Sequence, residues 1–231
     1  MKKIIVLALF VLAFAGTVLA SPEKWVDKEY NFKAVKSVLL LEPVCSDQST
    51  DDVGKNQIKQ VFMSEAEMKK VTLLHTEDII AAMDDKTKED YNNLVGTDAD
   101  AAQKLLLQEA QKHADIAVYT TVTAYHSGTK HIAESIRTYT DYQEIEMDTP
   151  QGGKQKVKYP VTRTEITPAH DITTLTSDTQ FRAVDLKTGK DIMLDTDHRY
   201  RELGTYDSST PDHMFKRGVN KFFSDLYKLV K

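Results

Sequence analysis

The chain reads as an α/β fold with an α+β tendency. It should hold a mixed β-sheet packed with helices, a protruding antiparallel β-hairpin and a C-terminal amphipathic helix. Three features carry that expectation. Val38-Leu39-Leu40-Leu41 is a continuous apolar run stopped at Glu42-Pro43, which suits a strand covered on both faces. Strand and helix patterns then alternate as far as Val122. From Ser127 onward the texture changes to long threonine-rich β segments around a Gly-Gly turn.

The leader comes first. Lys2 and Lys3 precede an uncharged apolar run from Ile4 to Val18, and Val18-Leu19-Ala20 places small residues where a signal peptidase reads. Residues 1–20 are therefore expected to be a signal peptide cleaved before Ser21, with an uncleaved N-terminal anchor as the alternative. The run falls short of the roughly 20 apolar residues that span a bilayer. No cysteine follows the cleavage point, so no lipid anchor is expected. Removing twenty of 231 residues leaves 211, read as a single α/β domain with a β-ribbon insertion at about 127–178. The leader carries two lysines and no acid, so the net charge moves from −5 to −7. An acidic chain without a basic cluster argues against nucleic acid or an anionic membrane surface as partner.

Residues 51–69 look helical, with Val53, Ile58, Val61, Phe62 and Met68 mostly at helical spacing. Val71 to Leu74 is a short strand. Thr76 should cap a brief helix from Ile79 to Met83, and Asp84 to Asp90 should form a solvated loop or helix end. Thr97 to His113 is a helix capped by Asp98, with Ala101, Ala102, Leu105, Leu106 and Ala110 as its apolar stripe. It feeds a β-branched strand from Ile116 to Val122. No Gly-rich phosphate loop sits at these strand-to-helix turns.

Tyr139 to Asp148 and Lys154 to Arg163 flank Thr149-Pro150-Gln151-Gly152-Gly153, a strong hairpin signal. If Asp148 faces Lys154, Glu146 faces Lys156 and Glu144 faces Lys158, while Ile145 meets Val157 on the other face. Three opposite-charge rungs, each contributing about 0.2–1 kcal/mol, select this register over its one-residue slips. A second hairpin joins Phe181–Leu186 to Asp191–Tyr200, with Gly189 at the turn. Thr210, Pro211 and Asp212 then open the last helix, and Phe215, Val219, Phe222, Phe223, Leu226 and Val230 form its core-facing stripe.

Three stretches resemble a family of bacterial envelope α/β domains, the CsgG/LpoB-like group. They are Val38 to Pro43, the helix-to-strand passage Ala110 to Val118, and the hairpin Val184-Asp185-Leu186-Lys187-Thr188-Gly189-Lys190. The resemblance spans about residues 36–126 and 179–231. It implies a compact periplasm-facing α/β domain that binds other envelope proteins, with no catalytic residues to carry over. Two departures matter. The family's lipid-anchoring cysteine is replaced by Ser21, and the extra strands that build a pore in CsgG are too charged here between Tyr139 and Arg163 for a lipid-facing wall.

Chemistry is sparse. Asp195, Asp197 and His198, joined by His126, His131, His170 or His213, form the best metal candidate, but strand alternation puts His198 opposite the two aspartates. No metal and no cofactor are expected. Asp84-Asp85 and Asp47 to Asp52 lack the glycine and glutamate of a calcium loop, and no serine sits in a nucleophile elbow. Cys45, the single cysteine, should be a small buried residue, with an intermolecular disulfide or reactive thiol as alternatives. Tyr139, Tyr142, Ile145, Met147, Val157 and Tyr159 are the candidate partner-binding residues, because tyrosine is enriched at interfaces. The competing reading is that they cover the sheet's own core.

The expectation is an exported, non-catalytic binding or adaptor module, periplasmic or secreted, that engages an envelope protein, with a homo-oligomer left open. The alternative is a secreted or periplasmic hydrolase whose site is assembled from scattered acids and histidines. N-terminal sequencing of the exported protein should read Ser21, in the soluble fraction. Met1 at the terminus, or recovery only with salt-washed membranes, would contradict this.

Overall fold

The computed structural model describes residues 24–204 and 207–231, so the leader and its cleavage site lie outside the described residues. Two compact units emerge. Among the described residues, the first comprises those up to Ser127, Leu175–Arg201 and Ser209–Lys231; the second comprises Gly128–Thr174 and those between Glu202 and Ser208.

The main sheet is mixed. It contains β1 (Lys24–Val26), β2 (Ser37–Leu40), β3 (Val44–Cys45), β4 (Thr72–His75), β5 (Ile116–Ile132), β8 (His170–Asp185) and β9 (Asp191–Glu202). Their order is β1-β9-β8-β5-β2-β4, with β3 pairing on β5. Strand β2 runs parallel to both β4 and β5, whereas β1 is antiparallel to β9. Val38, Leu39 and Leu40 have no solvent exposure, as an apolar run covered on both sides requires. Val38 and Leu40 enter one apolar cluster with Ile58, Phe62 and Phe222, and Leu39 enters another with Ile79 and Leu106.

Helix α1 (Asp52–Glu65) is capped by Asp51, whose side chain accepts from the Gly54 N–H at 2.8 Å. It ends sooner than the spacing suggested, and Met68 is buried beyond its last turn while Val53 is exposed. Helix α2 (Thr76–Ala82) starts directly from β4. Thr76 is therefore its first helical residue and not its cap; the His75 N–H donates to Asp78 at 2.8 Å. The stretch from Asp84 to Asp90, expected as a solvated loop or helix end, opens a separate helix α3 (Asp85–Val95), capped by Asp84 accepting from the Thr87 N–H at 2.9 Å. None of its residues is fully buried; only Thr87, Tyr91 and Leu94 are half-buried along one side, a stripe too short and too polar to stand out in the charged sequence. Helix α4 (Ala99–Ala110) is capped by Asp98 and buries Ala102, Leu106 and Ala110, with Leu105 half-buried.

Asp115 aligns the parallel strands. Its carboxylate accepts from the Lys36 N–H (2.8 Å), the Ser37 N–H (3.2 Å) and the Ser37 hydroxyl (3.2 Å). Asp47 plays a similar part further along, accepting from the Tyr125 N–H (2.8 Å), the Ser49 N–H (2.8 Å) and the Ser49 hydroxyl (2.6 Å), and meeting His126 Nδ1 at 3.0 Å. Burial alone would raise its carboxyl, but the hydrogen bonds from Ser49 and His126 overcome that and hold it at about 2. Asp185 closes the second hairpin by accepting from the Thr188 N–H (3.0 Å) and hydroxyl (2.5 Å), and Gly189 takes a φ of 69°. Cys45, expected to be buried, is half-buried on the short β3, its Sγ 3.9 Å from the Asp47 carbonyl.

Helix α5 (Pro211–Val230) is capped by Thr210, with Pro211 at its first position. Phe215, Val219, Phe222, Phe223 and Leu226 are all buried, and Phe222 stacks on Phe181 with ring centroids 4.8 Å apart. Gly218 lies against Asp197, so an added Cβ would meet Asp197 Oδ2 at 2.8 Å. Phe222→Ala or Leu226→Ala should each cost about 2–5 kcal/mol in thermal or denaturant melts. Gly218→Ala should also destabilise, by about 1–2 kcal/mol, because overpacking outweighs the usual helix gain. That penalty should vanish in an Asp197→Ala background; a stabilising Gly218→Ala would contradict the packing.

Candidate functional site

The second unit contains a two-stranded sheet of β6 (Ser135–Asp148) and β7 (Lys154–Thr167). The turn closes on Thr149 and Gly153: the Thr149 N–H and hydroxyl both donate to the Gly153 carbonyl, at 2.7 and 3.0 Å, and the hydroxyl oxygen accepts from the Gly153 N–H at 3.0 Å. Gly152 has a φ of 81°, a conformation that side-chain-bearing residues resist.

The register is the one the charge pattern selects. Asp148 faces Lys154, Glu146 faces Lys156, Glu144 faces Lys158 and Ile145 faces Val157. The ion pairs themselves are partly diagonal. Glu144 lies 3.3 Å from Lys158 and 4.0 Å from Lys156, and Glu146 lies 3.4 Å from Lys154. The strands run further than expected, adding the exposed pair Ile136–Ile166 at the open end. The alternating threonines at 138, 140, 162 and 164 were the sequence signal for that extension.

Because side chains alternate across a strand, five of the six candidate residues share one face. These are Tyr139, Ile145 and Met147 on β6 with Val157 and Tyr159 on β7; Tyr142 lies on the charged face opposite Pro160. Ile145 is 41% and Met147 52% exposed, Tyr139 and Tyr159 are also exposed, and Val157 is half-buried. Polar groups frame this strip. The Tyr159 hydroxyl donates to Gln143 at 2.8 Å, Arg163 pairs with Asp141 at 2.8 Å, and the Arg137 guanidinium sits 5.9 Å from the Tyr139 ring centre.

The metal candidate is built differently from what its ligands would need. Asp195 and Asp197 do share a face of β9, but Lys221 lies 3.3 and 3.5 Å from them, and Arg199 forks onto Asp197. Burial alone would lower the Lys221 ammonium; the two carboxylates outweigh it and hold the group above its ordinary range. His198 pairs with Asp178 at 3.3 Å and His126 with Asp47. In the second unit, His131 pairs with Asp171 at 2.7 Å and His170 with the Pro168 carbonyl at 3.0 Å. Among the described residues, no three His, Cys, Asp or Glu side chains are grouped to hold a metal ion.

No protein-family model matches the chain, and no curated protein matches it. Solved structures do align over most of its length. The PelC dodecamer from Paraburkholderia phytofirmans is 8% identical with a TM-score of 0.44, covering 88% of this chain and 94% of that one. Lipoprotein GNA1162 from Neisseria meningitidis is 16% identical with a TM-score of 0.38, covering 82% and 99%. A neuraminyllactose-binding hemagglutinin homolog from Helicobacter pylori is 10% identical with a TM-score of 0.38, covering 86% and 87%. At these values the likeness assigns neither family nor function, which must be argued from the residues.

Proposed function

We propose that this chain is an exported, non-catalytic adaptor of the bacterial cell envelope that engages another envelope protein through the strip Tyr139, Ile145, Met147, Val157 and Tyr159. One observation supports the reading above the rest. A two-stranded ribbon is marginal in water by itself, yet this one keeps Tyr139, Ile145, Met147 and Tyr159 exposed together on one face, with Tyr142, Ile136 and Ile166 exposed on the other. Tyrosine, methionine and a polar frame are the composition of an interface centre and rim. The opposite face sets register with charge, leaving the strip free for recognition. The leader expected over residues 1–20 and the CsgG/LpoB-like motifs in the sequence support the periplasmic placement.

The test is a pull-down from the protein's own envelope fraction. Replacing residues 140–162 with a short Gly-Ser turn should preserve a cooperative melt and abolish recovery of the partner. Ile145→Ser combined with Tyr159→Ser should do the same while shifting stability by less than about 1 kcal/mol, as expected at exposed positions. A stable deletion protein that keeps every partner would overturn the strip as a binding site.

A further inference from the structure

Charge is segregated between the two strands of the ribbon. From 141 to 148, β6 carries four acids (Asp141, Glu144, Glu146, Asp148) and no base. From 154 to 163, β7 carries four bases (Lys154, Lys156, Lys158, Arg163) and no acid. The exception is itself matched, since Arg137 on β6 lies opposite Glu165 on β7. Among the described residues, each of these strands pairs only with the other. Each therefore presents one outer edge of backbone N–H and C=O groups that can accept a further strand, except at Tyr142, whose N–H already donates to the Asp141 carboxylate at 2.8 Å.

We propose that the ribbon edges bind a second copy of this chain head to tail, the acidic β6 of one copy beside the basic β7 of the next. The charges choose among the pairings the edges allow. A two-fold arrangement would set β6 against β6 or β7 against β7, placing acid beside acid or lysine beside lysine, which is destabilising at strand spacing. Pairing β6 with a neighbour's β7 in the same up-and-down sense repeats the internal ladder. Glu144, Glu146 and Asp148 then each have a lysine on both sides. Lysines on an edge strand ordinarily repel further pairing; here they repel only their own kind. Pro160 lacks an N–H and removes one donor, leaving Lys154–Tyr159 as the pairing stretch beside the turn. Such a contact uses different surfaces on the two copies, so it propagates into a ring or a row and does not stop at a pair. It uses the ribbon's edges, and so goes beyond the adaptor reading, which uses one face.

Reversing both strands together separates this contact from folding. Glu144→Lys, Glu146→Lys and Asp148→Lys combined with Lys154→Glu, Lys156→Glu and Lys158→Glu keep every internal rung matched. The exported wild-type and reversed proteins should each sediment as assemblies of the same size. When differently tagged copies are mixed, they should sort into separate assemblies, with cross-pairing more than about tenfold weaker, because three like-charge rungs replace three matched ones. A wild-type monomer at every accessible concentration would overturn the proposal, as would free mixing of the two proteins. Either result would leave the pull-down test of the adaptor reading untouched, since that test does not need self-association.

Discussion

Alternate side chains of β2 enter two different apolar clusters, and Val38, Leu39 and Leu40 lose all contact with solvent as a result. A strand buried on both faces stabilises by about 1.5–3 kcal/mol for each large apolar side chain, provided that something covers each face. In one cluster α1 and α5 supply Ile58, Phe62, Phe215, Phe222 and Leu226; in the other α2 and α4 supply Ile79 and Leu106. Parallel pairing of β2 with both β4 and β5 requires crossover connections, which α1 supplies between β2 and β4 and α2 to α4 supply between β4 and β5. Two half-buried carboxylates then act as fasteners. Asp115 and Asp47 each accept backbone N–H groups from segments some 78 residues away in sequence, fixing where strands begin and end.

The ribbon obeys different energetics. Its ion pairs are exposed, and such pairs contribute little to stability, typically about 0–1 kcal/mol. Their effect is on specificity: a slip of one residue would put Glu144 and Glu146 on the apolar strip's face. Charge holds the register that a core would otherwise hold, and so allows Ile145, Met147 and Tyr159 to stay exposed without loss of order. A binding surface on rigid strands costs less ordering entropy on association than one on a loop.

Much of this was legible in the sequence, and the misses have physical causes. The ribbon register and turn were readable because alternating charges and Gly152-Gly153 act locally. Helix α5 was readable from Thr210-Pro211 and its phenylalanine stripe. Helix α3 was not, because its half-buried side offers only Thr87, Tyr91 and Leu94 among charged residues. Thr76 was misassigned because β4 passes into α2 without a linker. Cys45 was expected to be buried, yet β3 is only two residues long and leaves it half-exposed. Tyr142 was grouped with the other candidate residues, although period-2 alternation puts it on the opposite face. Exposure of the strip depends on what packs against it, and the contact between Gly218 and Asp197 joins two distant elements; neither is encoded in local pattern.

The face-specific character of the ribbon is the central claim, and site-directed photo-crosslinking in the envelope tests it most directly. A photoreactive phenylalanine analogue at position 145 lies in the apolar strip, and the same group at position 146 lies on the charged face of the same strand. The account predicts a discrete crosslink to another envelope protein from position 145 and none from position 146. Equal crosslinking from both positions, or from 146 alone, would contradict it.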